Sequence, residues 1–140
     1  MTGRRCLIGL FVAAPAAAQP VAQLPSVTLG RGVTAIPPGV WRVTFSPERD
    51  VLEAEQRAAL GRLAAVLQSA TVGRVTLMAE TSEGNDVSIH RRLTLARALA
   101  VKAALVAGGL NETRIDIRAL GRTPNGRDGV DVLAPTAPRS

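Results

Sequence analysis

The chain has 140 residues, a net charge of +6 at neutral pH and an apolar fraction of 46%. This length is that of one ordinary domain with one hydrophobic core. A single cysteine and a single histidine argue against a disulfide framework and against the usual zinc sites, so we expect no cofactor and no metal. The arginines are scattered and tyrosine is absent, which makes nucleic acid a poor partner candidate.

The N-terminus has the three parts of an export signal. Two arginines at positions 4 and 5 precede an apolar run over 6–14, and the alanines at 16–18 provide a small-residue cleavage site. The run is shorter than the roughly 20 apolar residues that cross a bilayer. We therefore expect a signal peptide over 1–18 and a mature chain with neither cysteine nor membrane span.

Residues 19–39 are rich in proline and glycine, a composition typical of an extended linker or an edge segment. The domain itself is predicted over 40–133, and 134–140 is predicted to be a disordered tail.

The first half of the domain predicts one strand and one helix. The apolar run Val40–Phe45 predicts the strand, which Ser46 and Pro47 end. Ser46 is also predicted to cap the following helix, with Pro47 at its first position and its end near Ser69.

The second half continues this alternation. We predict a strand over Thr71–Ala79, a polar loop over Thr81–Asn85 and a long helix over Asp86–Ala107, which Gly108 and Gly109 end. Alternating apolar residues over 115–119 and 130–133 predict two more strands, separated by a turn-rich connection. The order predicts an α/β domain, a two-layer α+β sandwich with both long helices on one face of a mixed sheet.

An arginine on the second helix is the most informative residue for function. It lies among apolar residues spaced four apart, on the face that should meet the sheet: Leu93, Arg97, Val101, Leu105. A guanidinium binds a carboxylate through two parallel hydrogen bonds. His90 shares that side of the helix, and the loop Thr81–Asn85 precedes it. The pattern predicts a small polar site for a carboxylate ligand.

A purely structural role for these residues is the alternative, and composition and spacing alone favour it. Arg97 would then extend over apolar groups and pair with an acid such as Glu80, Glu83 or Asp86. His90 would be a surface or capping residue.

The sequence contains no arrangement of nucleophile and base and no phosphate-binding glycine loop. We therefore expect a noncovalent binding protein rather than an enzyme.

At these residues the sequence resembles the OmpA-like domain of bacterial envelope proteins. The family's run is a Thr-Asp pair, an Asn eight residues later, then Leu-Ser, Arg-Ala, a Val and a Leu. The chain has the same spacing without a gap: Thr81-Ser82, His90, Leu93-Thr94, Arg97-Ala98, Val101, Leu105. The resemblance covers 40–133.

The resemblance implies an OmpA-like βαβαβ(β) fold and noncovalent attachment to peptidoglycan in the periplasm. In the family, the Asp and the Arg clamp the charged groups of diaminopimelate in the peptide stem. Arg97 matches that Arg, whereas Ser82 replaces the Asp and His90 replaces the Asn. The usual Asn-Arg-Arg before the last strand is replaced by residues 127–129, Arg-Asp-Gly.

The predicted ligand-binding residues are Arg97, Ser82, Thr81, Glu83, Gly84 and His90. Arg97 would hold a stem-peptide carboxylate, the loop would orient it, and His90 would brace the loop. The alternative is a degenerate OmpA-like domain that acts as a periplasmic interaction module without wall binding. Other envelope proteins, including an outer-membrane partner, remain open as partners.

Overall fold

The computed structural model describes residues 24–82, 86–124 and 127–135. Within these ranges, eight elements follow one another: β1 (Val33–Ile36), β2 (Val40–Val43), α1 (Ala54–Ala70), β3 (Val75–Thr81), α2 (Val87–Ala107), a short 3-10 helix (Glu112–Arg114), β4 (Ile115–Arg122) and β5 (Gly129–Leu133). The strands form one sheet in the order β1-β2-β5-β3-β4. Only β3 and β4 run parallel, and the other neighbouring strands are antiparallel. The predicted α+β sandwich with a mixed sheet is confirmed.

One apolar core lies between the helices and the sheet. Alternate strand residues such as Leu77 and Val132 point into it, where they meet leucines of α1 and the Val101 side of α2. The residues between them, such as Met78 and Asp131, belong to the other face of the sheet. This period of two is what a sheet covered on one face requires.

The first helix begins later than predicted, and the expectation that Ser46 caps it is wrong. The backbone N–H of Arg49 donates to the Ser46 carbonyl at 3.0 Å, and Glu48 has a φ of 61°, so this stretch is a turn. A right-handed helix cannot pass through such a residue. The helix instead starts after Glu53, whose N–H donates to the Gln56 side chain at 2.8 Å.

The second helix agrees closely with its prediction. Asp86 is its N-cap and accepts hydrogen bonds from the backbone N–H groups of Ser88 and Ile89 at 2.9 and 3.1 Å. The helix ends at Ala107, and Gly109 follows with a φ of 110°. This is the left-handed conformation that glycine adopts without a steric penalty.

Five strand limits differ from those predicted. β2 ends at Val43, β3 runs from Val75 to Thr81, β4 continues to Arg122 and β5 begins at Gly129. The residues just before β3 are exposed. The carbonyl of Gly73 accepts a hydrogen bond from the Arg114 side chain, at 2.8 Å from its Nε, and not from a neighbouring strand.

The described part of the proline-rich segment is an edge of the fold. β1 pairs with β2 over four residues, from Val33 opposite Val43 to Ile36 opposite Val40. Leu24, Val27 and Leu29 pack against the core ahead of it. The composition of this segment allowed either an extended linker or an edge segment. Residues 33–36 form an edge strand.

The outer face of the sheet carries a paired cation. Arg42 on β2 donates from Nε and Nη2 to the two carboxylate oxygens of Asp131 on β5, at 2.7 and 3.0 Å. The bond to Asp131 is the main reason that the pKa of Arg42 is raised. The negative charge of Glu80 also raises the pKa of Arg42, which is consistent with the position of Glu80 on the outer face.

Candidate functional site

Four chain segments leave the sheet at the same end. Val43 of β2 lies opposite Val130 of β5, and Glu80 of β3 lies opposite Gly129 of β5 and Gly121 of β4. The residues after β2, β3 and β4, and those before β5, therefore emerge together. The connection from β3 to α2, which contains most of the predicted ligand residues, begins at this end as well.

Arg97 is the most buried charged residue at this end, with 1% of its surface exposed. Its Nε donates to the carbonyl of Arg49 at 2.7 Å, Nη1 to Oδ1 of Asp128 at 2.7 Å, and Nη2 to the carbonyl of Ser46 at 3.2 Å. The guanidinium carbon lies 5.0 Å from the centre of the Phe45 ring. Each guanidinium nitrogen therefore has an acceptor, and an aromatic ring lies against the cation.

The acid that the structure places on Arg97 is Asp128, which was not among the three proposed from the sequence. Asp86 caps α2, and Glu80 belongs to the outer face, beside Arg42. Glu83 lies outside the described residues. A signal for Asp128 was present, because an acid stands there where the family motif has a basic residue. The two carbonyl acceptors escaped prediction because Ser46 was expected to begin a helix.

Ser82 and Thr81 lie where β3 ends. Thr81 is buried, and its carbonyl accepts a hydrogen bond from the backbone N–H of Thr123 at 3.2 Å. Ser82 is half-buried and lines an open depression of about 410 Å³, together with Thr123 and two neighbours, Arg122 and Pro124. Gly84, like Glu83, lies outside the described residues.

His90 lies in the first turns of α2 and is 8% exposed. Its Nδ1 is buried and has no hydrogen-bond partner among the residues that the structure describes. Its carbonyl accepts from Oγ1 of Thr94 at 3.0 Å, and that oxygen accepts from the N–H of Gly121 at 3.1 Å. His90 is therefore a buried residue tied through its backbone to β4, and its role as a brace for the loop stays a prediction.

The residues around Arg97 are arranged as a carboxylate-binding site rather than as a site for a covalent reaction. Arg97 already holds one carboxylate through Nη1, and with 1% of its surface exposed it leaves little room for a second one while Asp128 stays in place. Over the described ranges, no group of three histidine, cysteine, aspartate or glutamate side chains is placed to hold a metal ion.

Comparison with known families gives this site a context. The sequence model of the OmpA family matches residues 44–130, which is more than half of the chain. The chain belongs to the OmpA family. The match runs from the end of β2 to the start of β5, so it includes both long helices and the motif of α2. No curated protein sequence matches the chain significantly.

Solved structures of OmpA-like domains share the fold. The OmpA-like domain of FopA1 from Francisella tularensis is 16% identical, with a TM-score of 0.53 over 76% of this chain and 91% of that one. The peptidoglycan-associated lipoprotein of Burkholderia pseudomallei is 21% identical, with a TM-score of 0.58 over 66% and 87%. The periplasmic domain of Helicobacter pylori MotB is 16% identical, with a TM-score of 0.58 over 72% and 83%. The predicted membership in this family is confirmed.

In this OmpA-family protein, the residues of the motif share one side of α2. His90, Thr94, Arg97, Ala98, Val101 and Leu105 are all buried. None of the helices in the described part of the chain is long and apolar enough to cross a membrane.

Proposed function

We propose that this protein binds peptidoglycan noncovalently, through a carboxylate of the stem peptide, at the end of the sheet where Arg97 lies. The observation that carries the proposal is the 2.7 Å contact between Nη1 of Arg97 and a carboxylate oxygen. It supports this arginine, at the position of the family's clamp, as a carboxylate binder within its own fold. The solved neighbour described as a peptidoglycan-associated lipoprotein has the same fold.

The proposed contacts follow the family's clamp with one change. Arg97 holds the carboxylate of a diaminopimelate-type residue, and Thr81, Ser82, Glu83 and Gly84 orient the stem peptide. Ser82 offers a neutral hydroxyl where the family has an acid, which gives up on the order of 1 kcal/mol of binding free energy or more. We therefore expect weaker binding than in members that keep the acid, with His90 bracing the loop.

Such a binding module acts in the periplasm. The proposed ligand belongs to the cell envelope, and the signal peptide predicted over 1–18 would deliver the chain there. We propose no covalent reaction, since neither the sequence pattern nor the geometry at Arg97 assembles a nucleophile with a base.

A second candidate is an OmpA-like interaction module that no longer binds the wall. One observation favours it: Arg97 is almost fully buried, and each of its three side-chain nitrogens already donates to Asp128 or to the backbone carbonyl of Ser46 or Arg49. In this reading, the former ligand arginine has become a structural residue that joins three segments.

Sedimentation with insoluble peptidoglycan distinguishes the two candidates. The variants are Arg97→Lys, which keeps the charge but loses the planar fork, and Ser82→Asp, which restores the family's acid. We expect the original protein to sediment, Arg97→Lys to bind on the order of tenfold more weakly, and Ser82→Asp to bind more tightly. Free diaminopimelate should release the bound protein.

The control is Arg118→Lys, the same change on the outer face of the sheet. Circular dichroism should establish that each variant is folded. If the original protein and Ser82→Asp both stay in the supernatant at every concentration, wall binding is refuted and the interaction module remains.

A further inference from the structure

Asp128 places a carboxylate of the chain itself on the proposed ligand arginine. Its Oδ1 lies 2.7 Å from Nη1 of Arg97, which is the distance of a charge-assisted hydrogen bond. The resembling family has a basic residue at this position of its Asn-Arg-Arg motif. The internal carboxylate is therefore a feature of this chain and not a part of the family's clamp.

The two partners differ in how far solvent reaches them. The Asp128 side chain is 28% exposed, whereas that of Arg97 is 1% exposed. The other two acceptors of the guanidinium are backbone carbonyls of the turn at 46–49, and the Arg49-to-Ser46 hydrogen bond closes that turn. Of these three acceptors, Asp128 is the one that belongs to a side chain and is partly exposed, so it can leave the guanidinium without opening the turn, and a dissolved anion can replace it.

The backbone beside Asp128 is held in place. Gly129 pairs with Glu80, and it packs so closely on the Val43 carbonyl that no side chain fits there. Its φ of 148° is also one that other residues rarely adopt. Exchange at Arg97 therefore requires the Asp128 side chain to rotate, while Gly129 stays in the sheet.

We infer that Asp128 is an internal competitor that occupies the carboxylate position on Arg97 and sets the affinity of the site for carboxylate ligands. This inference rests on the proposed function. A stem-peptide carboxylate binds only after it replaces Asp128, so the free energy of the internal ion pair is subtracted from that of binding. Removing the charge of Asp128 exposes a cation that is ready for the ligand.

The experiment measures binding of the full chain to diaminopimelate-containing peptidoglycan and to free diaminopimelate. Asp128→Asn removes the charge with little change of shape. Asp116→Asn is its matched control, because Asp116 is exposed on β4, contributes to the outer face and gives the same change in net charge. We expect Asp128→Asn to bind both ligands about tenfold more tightly, and Asp116→Asn to bind like the original protein.

Asp128→Ser, neutral and smaller, keeps the test available if Asp128→Asn does not fold. The thermal midpoint with and without diaminopimelate provides a second measure, since a ligand that binds the folded state more tightly raises the midpoint further. The larger rise is expected for the Asp128 variants.

Three outcomes distinguish a failure of the competitor role from a failure of peptidoglycan binding itself. If the original protein binds and both Asp128 variants bind equally or more weakly, the competitor role is overturned while the proposed function stands. If only the Asp128 variants bind, the competitor role stands, and the proposed function is refuted for the original protein because the internal pair blocks its site. If no variant binds peptidoglycan or diaminopimelate, the proposed function fails and the inference fails with it.

Discussion

The hydroxyl of Thr94 joins the helix that carries Arg97 to the strand beside it. Oγ1 of Thr94 approaches the carbonyls of His90 and Arg91 at 3.0 and 3.1 Å, and it accepts from the backbone N–H of Gly121 at 3.1 Å. The side chain is fully buried. Thr94 stands at the Ser of the family's Leu-Ser pair, so at the residue scale this part of the motif has a structural explanation that does not depend on a ligand.

Thr94→Val should therefore destabilise the fold although it preserves the volume of the side chain. The substitution leaves the buried N–H of Gly121 without an acceptor, which costs about 1–3 kcal/mol. Urea denaturation measures this loss as a lower free energy of unfolding.

Thr94→Ser is the control for this prediction, because it keeps the hydroxyl and removes only a methyl group. It should be more stable than Thr94→Val. Equal stability of the two variants would mean that the hydrogen bond to β4 contributes nothing.

The two long helices approach each other at a pair of glycines, one on each side of the contact. A Cβ added to Gly108, at the end of α2, would lie 2.5 Å from the Cα of Gly61 and 2.7 Å from its carbonyl oxygen. A Cβ added to Gly61, in α1, would find Gly108 at 3.9 Å, an ordinary contact. At the element scale, the contact is thus asymmetric, because only one of the two glycines is required by packing.

Opposite effects of alanine at these two positions are the expected result. Gly108→Ala should destabilise by about 1–3 kcal/mol, because backbone must move to admit the methyl group. Gly61→Ala should be neutral or stabilise by up to about 1 kcal/mol, since alanine favours a helix interior. Thermal unfolding of both variants measures the difference, and a Gly108→Ala variant as stable as Gly61→Ala would contradict the close approach.

The folded domain includes residues that precede the segment resembling the family. β1 covers the edge of the sheet at β2, and Val33 is buried in the core. Gln56 of α1 donates to the carbonyl of Gly32 at 3.2 Å and to that of Thr44 at 2.6 Å. At the scale of the whole molecule, the part of the chain around 24–36 therefore stabilises both the sheet and the start of α1.

Removal of this segment should destabilise the domain strongly. A chain that begins at Val40 loses β1 and the apolar contacts of Leu24, Val27 and Leu29. Burial of one Val or Leu side chain contributes about 1.5–3 kcal/mol, so we expect a loss of at least about 3 kcal/mol. A chain that begins at Leu24 is the comparison, and guanidinium denaturation of the two measures the difference. Equal midpoints would restrict the stable unit to 40–133.

The elements that could be predicted from the sequence are those whose limits are set by residues close together in the chain. The helix of α2 has its cap, its periodicity and its terminal glycine within 23 consecutive residues, from Asp86 to Gly108, and its limits were predicted closely. The start of α1 was placed too early, because the Ser-Pro signal at 46–47 was preferred to the capping box of Glu53 and Gln56, which is equally local. Ser46 and Pro47 carry a local helix signal, but Glu48 adopts a positive φ in the folded chain.

By itself, the sequence determined the class of fold, the family and the importance of Arg97, because periodicity and motif spacing are properties of neighbouring residues. Only the tertiary structure decided what Arg97 contacts. Asp128, Ser46 and Arg49 are separated from it by 31 to 51 positions. They meet it because four segments of the chain leave the sheet at one end. A buried guanidinium takes whichever acceptors the fold brings within hydrogen-bond distance, and no local pattern specifies them.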